Sequence, residues 1–405
     1  MNDVIDSAWM DRALRGARPR ALAALLRYFR ELDVAEEAFQ EACLQALTKW
    51  PLQGPPRDPA AWLILVGRNS AIDSVRRRSK HVELVEVAED HDRAAQLDDA
   101  PYRDDILRLL FICCHPELPA TEQIALALRL VCGLSVEQIA RAFVVGDAAM
   151  EQRITRAKKR VSSSDVAFET PGAPERASRL AAVAAILYLM FNEGYAAHAR
   201  AILCDEAIRL ARLLLHLFSD EPGIMGLLAL MLLQHARSAA RLDPDGEIVL
   251  LEDQDRSKWD AAMIAEGLAT LDKALRHRRP DTYQVQAAIA ALHARAARAA
   301  DTDWSEIERL YARLEQLAPS PVVTLNRAVA VSKVRGPAEA LAIVEPLAPA
   351  LDGYFYFHGL RGALLLQLRR DAEARASFDR AIARASTAAE AAHIRMQLDR
   401  LQRGA

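Results

Sequence analysis

From Gly133 to Arg160 the chain reads GLSVEQIARAFVVGDAAMEQRITRAKKR, and this stretch leaves it few folds to choose from. Ser135 is a good N-cap with Gln138 three residues on, so a capping box is expected to open a short helix. Its apolar face is Val136, Ile139, Ala140 and Phe143. Val145-Gly146 is expected to end it: Gly146 can take the positive φ of a tight turn, and Asp147 stands where it can cap a second helix. On that second helix, Ala148 to Arg160, Met150, Ile154 and Ala157 recur at helical spacing. Two short helices joined by a Gly-containing turn make a helix-turn-helix. Gln152, Arg153, Arg156, Lys158, Lys159 and Arg160 follow without an intervening acid, so the helix ends in a cationic face suited to phosphates and base edges. An ordinary helical hairpin with a solvated basic end is the competing reading.

The rest of the composition agrees with an all-α chain. Ala, Leu, Arg and Glu dominate its 405 residues, Gly and Pro are sparse, and no run of alternating β-branched residues occurs. A net charge of −3 means that any nucleic-acid contact is a local patch. The first residues, MNDVIDSAWMDRAL, lack the basic-then-apolar order of a signal peptide. The apolar runs Ala181 to Phe191 and Ile224 to Leu233 read as too short to span a bilayer, so a cytoplasmic protein without membrane contact is expected. Cys43, Cys113, Cys114, Cys132 and Cys204 form no CxxC pair, and Cys113-Cys114-His115 are too close together for three ligands of one metal. They read as reduced core thiols, with no metal and no cofactor expected.

Ahead of the helix-turn-helix, Ala21 to Arg30 places Leu22, Leu25, Leu26 and Phe29 on one helical side. Asp33 is expected to cap a second helix with Ala38, Phe39, Ala42, Ala46 and Leu47 toward a core. Asp33, Glu36, Glu37, Gln40 and Glu41 make its other face acidic and amide-rich, ordinarily a solvated surface. After a proline-rich break, Asp58 is expected to cap AAWLILVGRNSAIDSVRRRSK, with Trp62, Leu65, Val66, Ile72 and Val75 on the apolar stripe. Arg68, Asn69, Asp73, Arg76 and Arg77 fall outside it, and an aromatic beside a basic helix end suits opened nucleic acid. Trp62 serves equally well as a core residue.

DVAEEAFQEACLQALTKW, then DPAAWLILVGRNSAIDSVRRRSK, then LPATEQIALALRLVCGLSVEQIARAFVVGDAAMEQRITRAKKRV together resemble the two conserved domains of bacterial extracytoplasmic-function sigma factors of the sigma-70 family. The resemblance covers about residues 10 to 162. It implies binding of core RNA polymerase through the beta-prime coiled coil, at Asp33, Glu36, Glu37, Gln40 and Glu41, and through the beta flap. It further implies promoter DNA as a partner. Trp62, Arg68, Asn69, Asp73, Arg76 and Arg77 would melt and read the minus-ten element, and Gln152, Arg153, Arg156, Lys158, Lys159 and Arg160 would enter the major groove at the minus-thirty-five element. Glu151 and the segment Val34-Ala35-Glu36-Glu37 depart from the residues usual in the family.

The expected domains are 1–82 (region 2), a linker at 83–100, 101–162 (region 4), a second linker at 163–176 and a helical extension at 177–405. The first linker is acidic and poor in apolar residues, and the second is Ser/Pro/Gly-containing without periodicity. Within the extension Ala340 and Ala374, Val344 and Phe378, Leu347 and Ala381, and Ala328 and Gly362 stand 34 residues apart. That is the period of tetratricopeptide repeats, helical hairpins that stack into a solenoid and offer a surface to a protein partner. A degenerate hairpin with Ile307, Tyr311 and Leu314, closed by Pro319, precedes them. Helices at Ala177 to Phe191, Asp205 to Phe218, Ile224 to Arg241 and Lys258 to Arg276 continue the stack. The extension resembles that of a sigma-factor subgroup with a tetratricopeptide-like C-terminal domain.

Two polar clusters stand out, FNEGY (Phe191 to Tyr195) and LLEDQDRSKWD (Leu250 to Asp260); the carboxylate density of the second could serve a metal or acid/base site, but no His or Cys pair accompanies it, and it reads as a helix-capping and salt-bridge knot between hairpins. No GxSxG, Walker loop, zincin helix or dinucleotide fingerprint occurs, so no enzyme is expected. Two functions fit. One is an initiation factor with a regulatory helical extension; the other is a helical-repeat interaction scaffold with a vestigial DNA-binding module.

Overall fold

In a computed structural model of the protein, residues 7–78, 99–162, 173–196 and 201–403 are described, apart from 55, 116, 144, 245, 247, 386 and 387. Most of the two expected linkers therefore lies outside the described residues. The fold is all-α, and the described residues contain no strand beyond an isolated bridge between Leu242 and Ile248. Two compact units divide the chain, Met1–Leu213 and Leu214–Ala405.

The first unit holds α1 (Ser7–Phe29), α2 (Leu32–Gln53), α3 (Pro59–Arg78), α4 (Asp99–Cys113), α5 (Ala120–Ala127), α6 (Val136–Phe143), α7 (Asp147–Ser162) and α8 (Ala173–Ala196). A π-turn, Leu128–Cys132, follows α5, and α9 (Ala201–Leu217) runs across the division. At its centre α1 packs on α2, α3, α4 and the π-turn at once. Its Leu22, Leu25 and Leu26, at the spacing of one helical face, are buried. The helix starts well before the expected Ala21 and contains Pro19. It ends where Arg30 turns left-handed at φ 57°.

Local signals were read correctly at some ends and not at others. Asp58 Oδ1 accepts the Ala61 N–H at 3.0 Å, capping α3 as expected. Asp33 does not cap α2. That helix begins at Leu32, which is buried, and its N-cap Glu31 makes no side-chain bond. Leu47 is 51% exposed instead of in the core, because it lies a full residue step around the helix from the buried line of Phe39, Ala42 and Ala46. On α3 the buried positions are Ala60, Ala61, Leu63 and Gly67, while Trp62, Leu65 and Val66 are half-buried; a Cβ at Gly67 would stand 2.8 Å from the Ala38 carbonyl oxygen, so the small residue lets α2 come close. The side chains of Ile72 and Val75 lie outside the described residues.

Helix α8 packs on α4 and α5, and its buried Leu180, Val183 and Leu187 extend the first unit's core beyond residue 162. FNEGY closes α8 structurally: Phe191 stacks on Tyr195 at 5.6 Å and its carbonyl accepts from Cys204 Sγ at 3.4 Å.

The second unit comprises α10 (Pro222–His235), α11 (Ala261–Arg276), α12 (Thr282–Arg295), α13 (Trp304–Leu317), α14 (Pro321–Val334), α15 (Pro337–Val344), α16 (Ala348–Leu351), α17 (Phe355–Gln367), α18 (Asp371–Arg384) and α19 (Ala388–Arg403). Each long helix packs on the next, and α10 also reaches α12. The expected helix from Lys258 starts instead at Ala261, because Asp260 caps it by accepting the Met263 N–H at 2.9 Å. Pro222–Ala240 is, against expectation, long and apolar enough by length and composition to cross a membrane; its Ile224 to Leu233 are buried in the fold. The positions 34 residues apart fall on one core. Ala328, Ala340, Val344, Ala374, Phe378 and Ala381 belong to a single buried cluster, with Leu347 at its edge. Gly362 faces Phe378, and a Cβ there would stand 2.6 Å from the ring.

Candidate nucleic-acid interface

The helix-turn-helix forms, with its first helix capped as the sequence implies and its turn built differently. Ser135 Oγ accepts the Gln138 N–H at 3.1 Å while Gln138 Oε1 accepts the Ser135 N–H at 2.9 Å, a reciprocal capping box. Ile139, Ala140 and Ala142 of α6 are buried, with Val136 and Phe143 half-buried. Gly146 does not adopt positive φ; the left-handed glycine is Gly133, at φ 75°, which ends the π-turn before α6. Asp147 is the first residue of α7 and not its cap, and the Met150 N–H bonds to the Gly146 carbonyl at 3.1 Å.

On α7 the line Met150, Ile154, Ala157 and Val161 is buried. Gln152, Arg156, Lys159 and Arg160 are exposed on the opposite side, and Arg153 is half-buried beside them. Arg160 Nη1 bonds Glu122 at 2.8 Å, and Arg156 Nε donates to its own helix at the Gln152 carbonyl at 3.3 Å. Lys158 lies elsewhere. Its Nζ is 2.5 Å from Glu36 Oε2 and 3.1 Å from Asp33 Oδ1, both on α2.

Glu36 is the centre of a buried charge cluster. Only 4% of it is exposed, since it stands four residues after Leu32 and three before Phe39, on the buried stripe of α2. Its Oε1 faces Arg18 Nη2 at 3.4 Å and Arg129 Nε at 3.5 Å. Arg18 also donates to the π-turn carbonyls, from Nε to Leu130 at 2.9 Å and from Nη2 to Arg129 at 3.2 Å, and its guanidinium lies over Phe39 at 4.8 Å. Burial pushes Arg18 below its ordinary range while Glu36 pulls the other way. Three cations around one carboxylate compensate its desolvation. The sequence reading omitted Arg18 and Arg129; the available signal was a single arginine inside otherwise apolar IALALRLVC. Of the acidic set, Glu37, Gln40 and Glu41 face outward, Asp33 is exposed yet bonded to Lys158, and Glu36 is withdrawn.

On α3, Trp62 meets Trp50 edge-on at 5.3 Å, and Trp50 meets Trp9 at 6.1 Å. Trp62 is half-buried, so it is part of this aromatic cluster and still presents surface. Arg68 is exposed and covers the ring of Tyr28 at 4.6 Å; Tyr28 is 49% exposed, an aromatic neighbour that sequence spacing did not point to. Asn69 is exposed. The backbone of α3 runs on to Arg78, but the side chains of Asp73, Arg76 and Arg77 lie outside the described residues. The five cysteines are free, and burial pushes up the thiols of Cys43, to about 11, and Cys114, to about 12, so neither is a thiolate near neutrality.

In the Leu250 to Asp260 cluster, Asp255 caps the turn at the Ser257 N–H (3.0 Å) and Asp260 caps α11. Glu252 pairs with Lys333 at 2.7 Å, so three of the cluster's carboxylates serve in caps and an ion pair.

Residues 14–81 match the family Sigma-70 region 2, residues 108–161 match Sigma-70 region 4, and residues 179–275 match a family of unknown function, DUF6596. An uncharacterized protein of Rhizobium meliloti is 65% identical over 98% of this chain and 96% of its own length. A probable ECF RNA polymerase sigma factor of Mycobacterium tuberculosis, SigI, is 26% identical over 43% of this chain and 60% of its own length. No solved structure matches. With both sigma regions present in order and the capping box, basic helix and aromatic α3 in place, the chain belongs to the sigma-70 family, as an extracytoplasmic-function sigma factor extended at its C-terminus by helices.

Proposed function

We propose that the protein binds core RNA polymerase and directs promoter-specific transcription initiation in the cytoplasm, acting as a DNA-binding specificity factor and not as an enzyme. The observation that carries this is the exposed basic side of α7 above a fully packed helix-turn-helix, a surface that a scaffold does not need. Glu37, Gln40 and Glu41 would dock on the beta-prime coiled coil, Trp62, Arg68 and Asn69 with Asp73, Arg76 and Arg77 would engage the melted minus-ten strand, and the exposed arginines of α7 would read the minus-thirty-five duplex.

The pairing of Lys158 with Asp33 and Glu36 supports a closed resting form. While it holds, one of the expected phosphate contacts and part of the expected docking face satisfy each other. Engagement of polymerase and DNA would part them, so the free chain would hold back from DNA. Run-off transcription from a cognate promoter with core polymerase tests the function. A transcript that depends on the protein supports it, and none from a folded chain favours the scaffold.

The extension would act as a tetratricopeptide-like solenoid that binds a protein partner and is required for full output. The 34-residue spacing of buried positions in one core supports that reading. Since α8 packs on α4 and α5, a cut at residue 164 strips part of the first unit. A cut after Ser219, past the end of α9, keeps that helix whole and removes the rest of the second unit. Lower transcription from that truncation supports a required extension, and higher output would mean inhibition.

A further inference from the structure

The second unit contains a cavity of about 480 Å³ that none of the sigma functions uses. Its wall is apolar and aromatic: Leu250, Ile307, Val329, Trp304 and Tyr311 line it. The volume and the apolar wall with a few polar groups are those of small-molecule sites. Three charged side chains reach it, Glu252, Arg256 and Lys333.

Those charges do not cancel. Glu252 pairs with Lys333 at 2.7 Å, and the Lys333 Nζ sits 5.8 Å from the centre of the Trp304 ring. Arg256 meets no carboxylate within ion-pair distance among the described residues. Its Nη1 donates to the carbonyls of His293 (2.5 Å) and Ala296 (2.7 Å) at the C-terminus of α12, and its guanidinium covers Trp259 at 4.5 Å. One cation is thus left over beside an aromatic wall. His293, which lines the same cavity, reports that positive field: burial first, then Arg237 and Arg256, push its imidazole down to about 4. A neutral His293 packs edge-on against Trp304 at 5.3 Å, which fixes the indole as a flat surface.

We propose that this cavity binds a small monoanionic carboxylate with a flat aromatic body, its ring against Trp304 and Tyr311 and its carboxylate toward Lys333 and Arg256. A phosphate monoester, with nearly two charges, fits less well where Glu252 already pairs with Lys333. The site lies wholly within the extension, so it stands or falls independently of promoter recognition.

The test is calorimetric titration of the full-length protein with phenylacetate, with phenylacetamide as the neutral isostere, and with a tripeptide ending in a free Phe carboxylate. The expected result is saturable phenylacetate binding, at least tenfold weaker binding of the amide, and a tenfold or greater loss in the Lys333→Gln variant, whose substitution is at a partly exposed position. Should that variant melt early, Tyr311→Leu with an unchanged melting temperature provides the second reading and is expected to weaken binding as well. Tighter binding of the tripeptide than of phenylacetate would assign the site to a protein C-terminus and overturn the small-molecule proposal. Equal binding of acid and amide, no binding of any probe at millimolar concentration, or undiminished binding in both variants would also overturn it.

Discussion

Lys158 on α7 and Glu36 on α2 are separated by 122 residues and joined by a 2.5 Å ion pair in which both side chains are largely buried. The pair ties the helix expected on DNA to the helix expected on polymerase. Removing one partner of a buried pair leaves the other uncompensated, and here the two sides are unequal. Lys158→Met leaves Glu36 with Arg18 and Arg129, so a loss of roughly 1–3 kcal/mol is expected. Glu36→Gln leaves three clustered cations without their carboxylate and should cost more. Urea titration of both single variants and the double variant checks the order, and additive losses would show that the two residues do not act as a pair.

Promoter reading should separate the cations of α7. Arg153→Ala or Arg156→Ala should weaken specific binding by roughly 1–3 kcal/mol and relax the base preference. Lys159→Ala should instead weaken all sequences alike and flatten the salt dependence by about one charge. Fluorescence anisotropy on promoter duplexes at several salt concentrations measures both; unchanged preference in the double arginine variant would remove α7 from sequence readout.

Docking on polymerase should depend on the outward acids only. Glu37 and Glu41 are exposed, so Glu37→Lys with Glu41→Lys should leave the melting temperature in place and weaken retention on core polymerase, most strongly at low salt. Full retention of the folded double variant would leave this face as plain solvated surface.

Gly362 has no room for a methyl group. Alanine is the better helix former by about 1 kcal/mol, yet a Cβ 2.6 Å from the buried Phe378 ring forces that ring aside. Overpacking of this kind costs roughly 1–3 kcal/mol, so Gly362→Ala is expected to destabilise the second unit on balance, seen as a lower melting temperature. A higher one would mean the ring yields freely.

His293 gives the extension an acid limit. Its folded value of about 4 lies below the ordinary 6.5, so the unfolded chain binds the extra proton first. The stability tied to neutral His293 is complete above pH 6.5 and is lost as the pH falls toward 4, on the order of 3 kcal/mol in all. His293→Gln should flatten the stability profile across that window, and an unaltered profile would assign the acid limit to other groups.

The sequence by itself determined the local structure. Capping chemistry and 3.6-residue periodicity act within a few residues, and so the Ser135–Gln138 box, the Asp58 cap, the buried line Met150, Ile154 and Ala157, and the 34-residue recurrence in the extension were all legible. Errors of the same range occurred where packing overrode propensity, at Asp33, Leu47 and Gly146. Tertiary structure alone decided what each charge does. Glu36 and Glu37 are neighbours in sequence and both acidic; one helical step turns the first onto Arg18, Arg129 and Lys158 and the second to solvent. Burial and pairing depend on residues far away in sequence, 122 positions for Lys158 and Glu36 and 81 for Lys333 and Glu252, so no local pattern could separate Lys158 from Lys159 or single out Arg256 and Lys333 around one cavity.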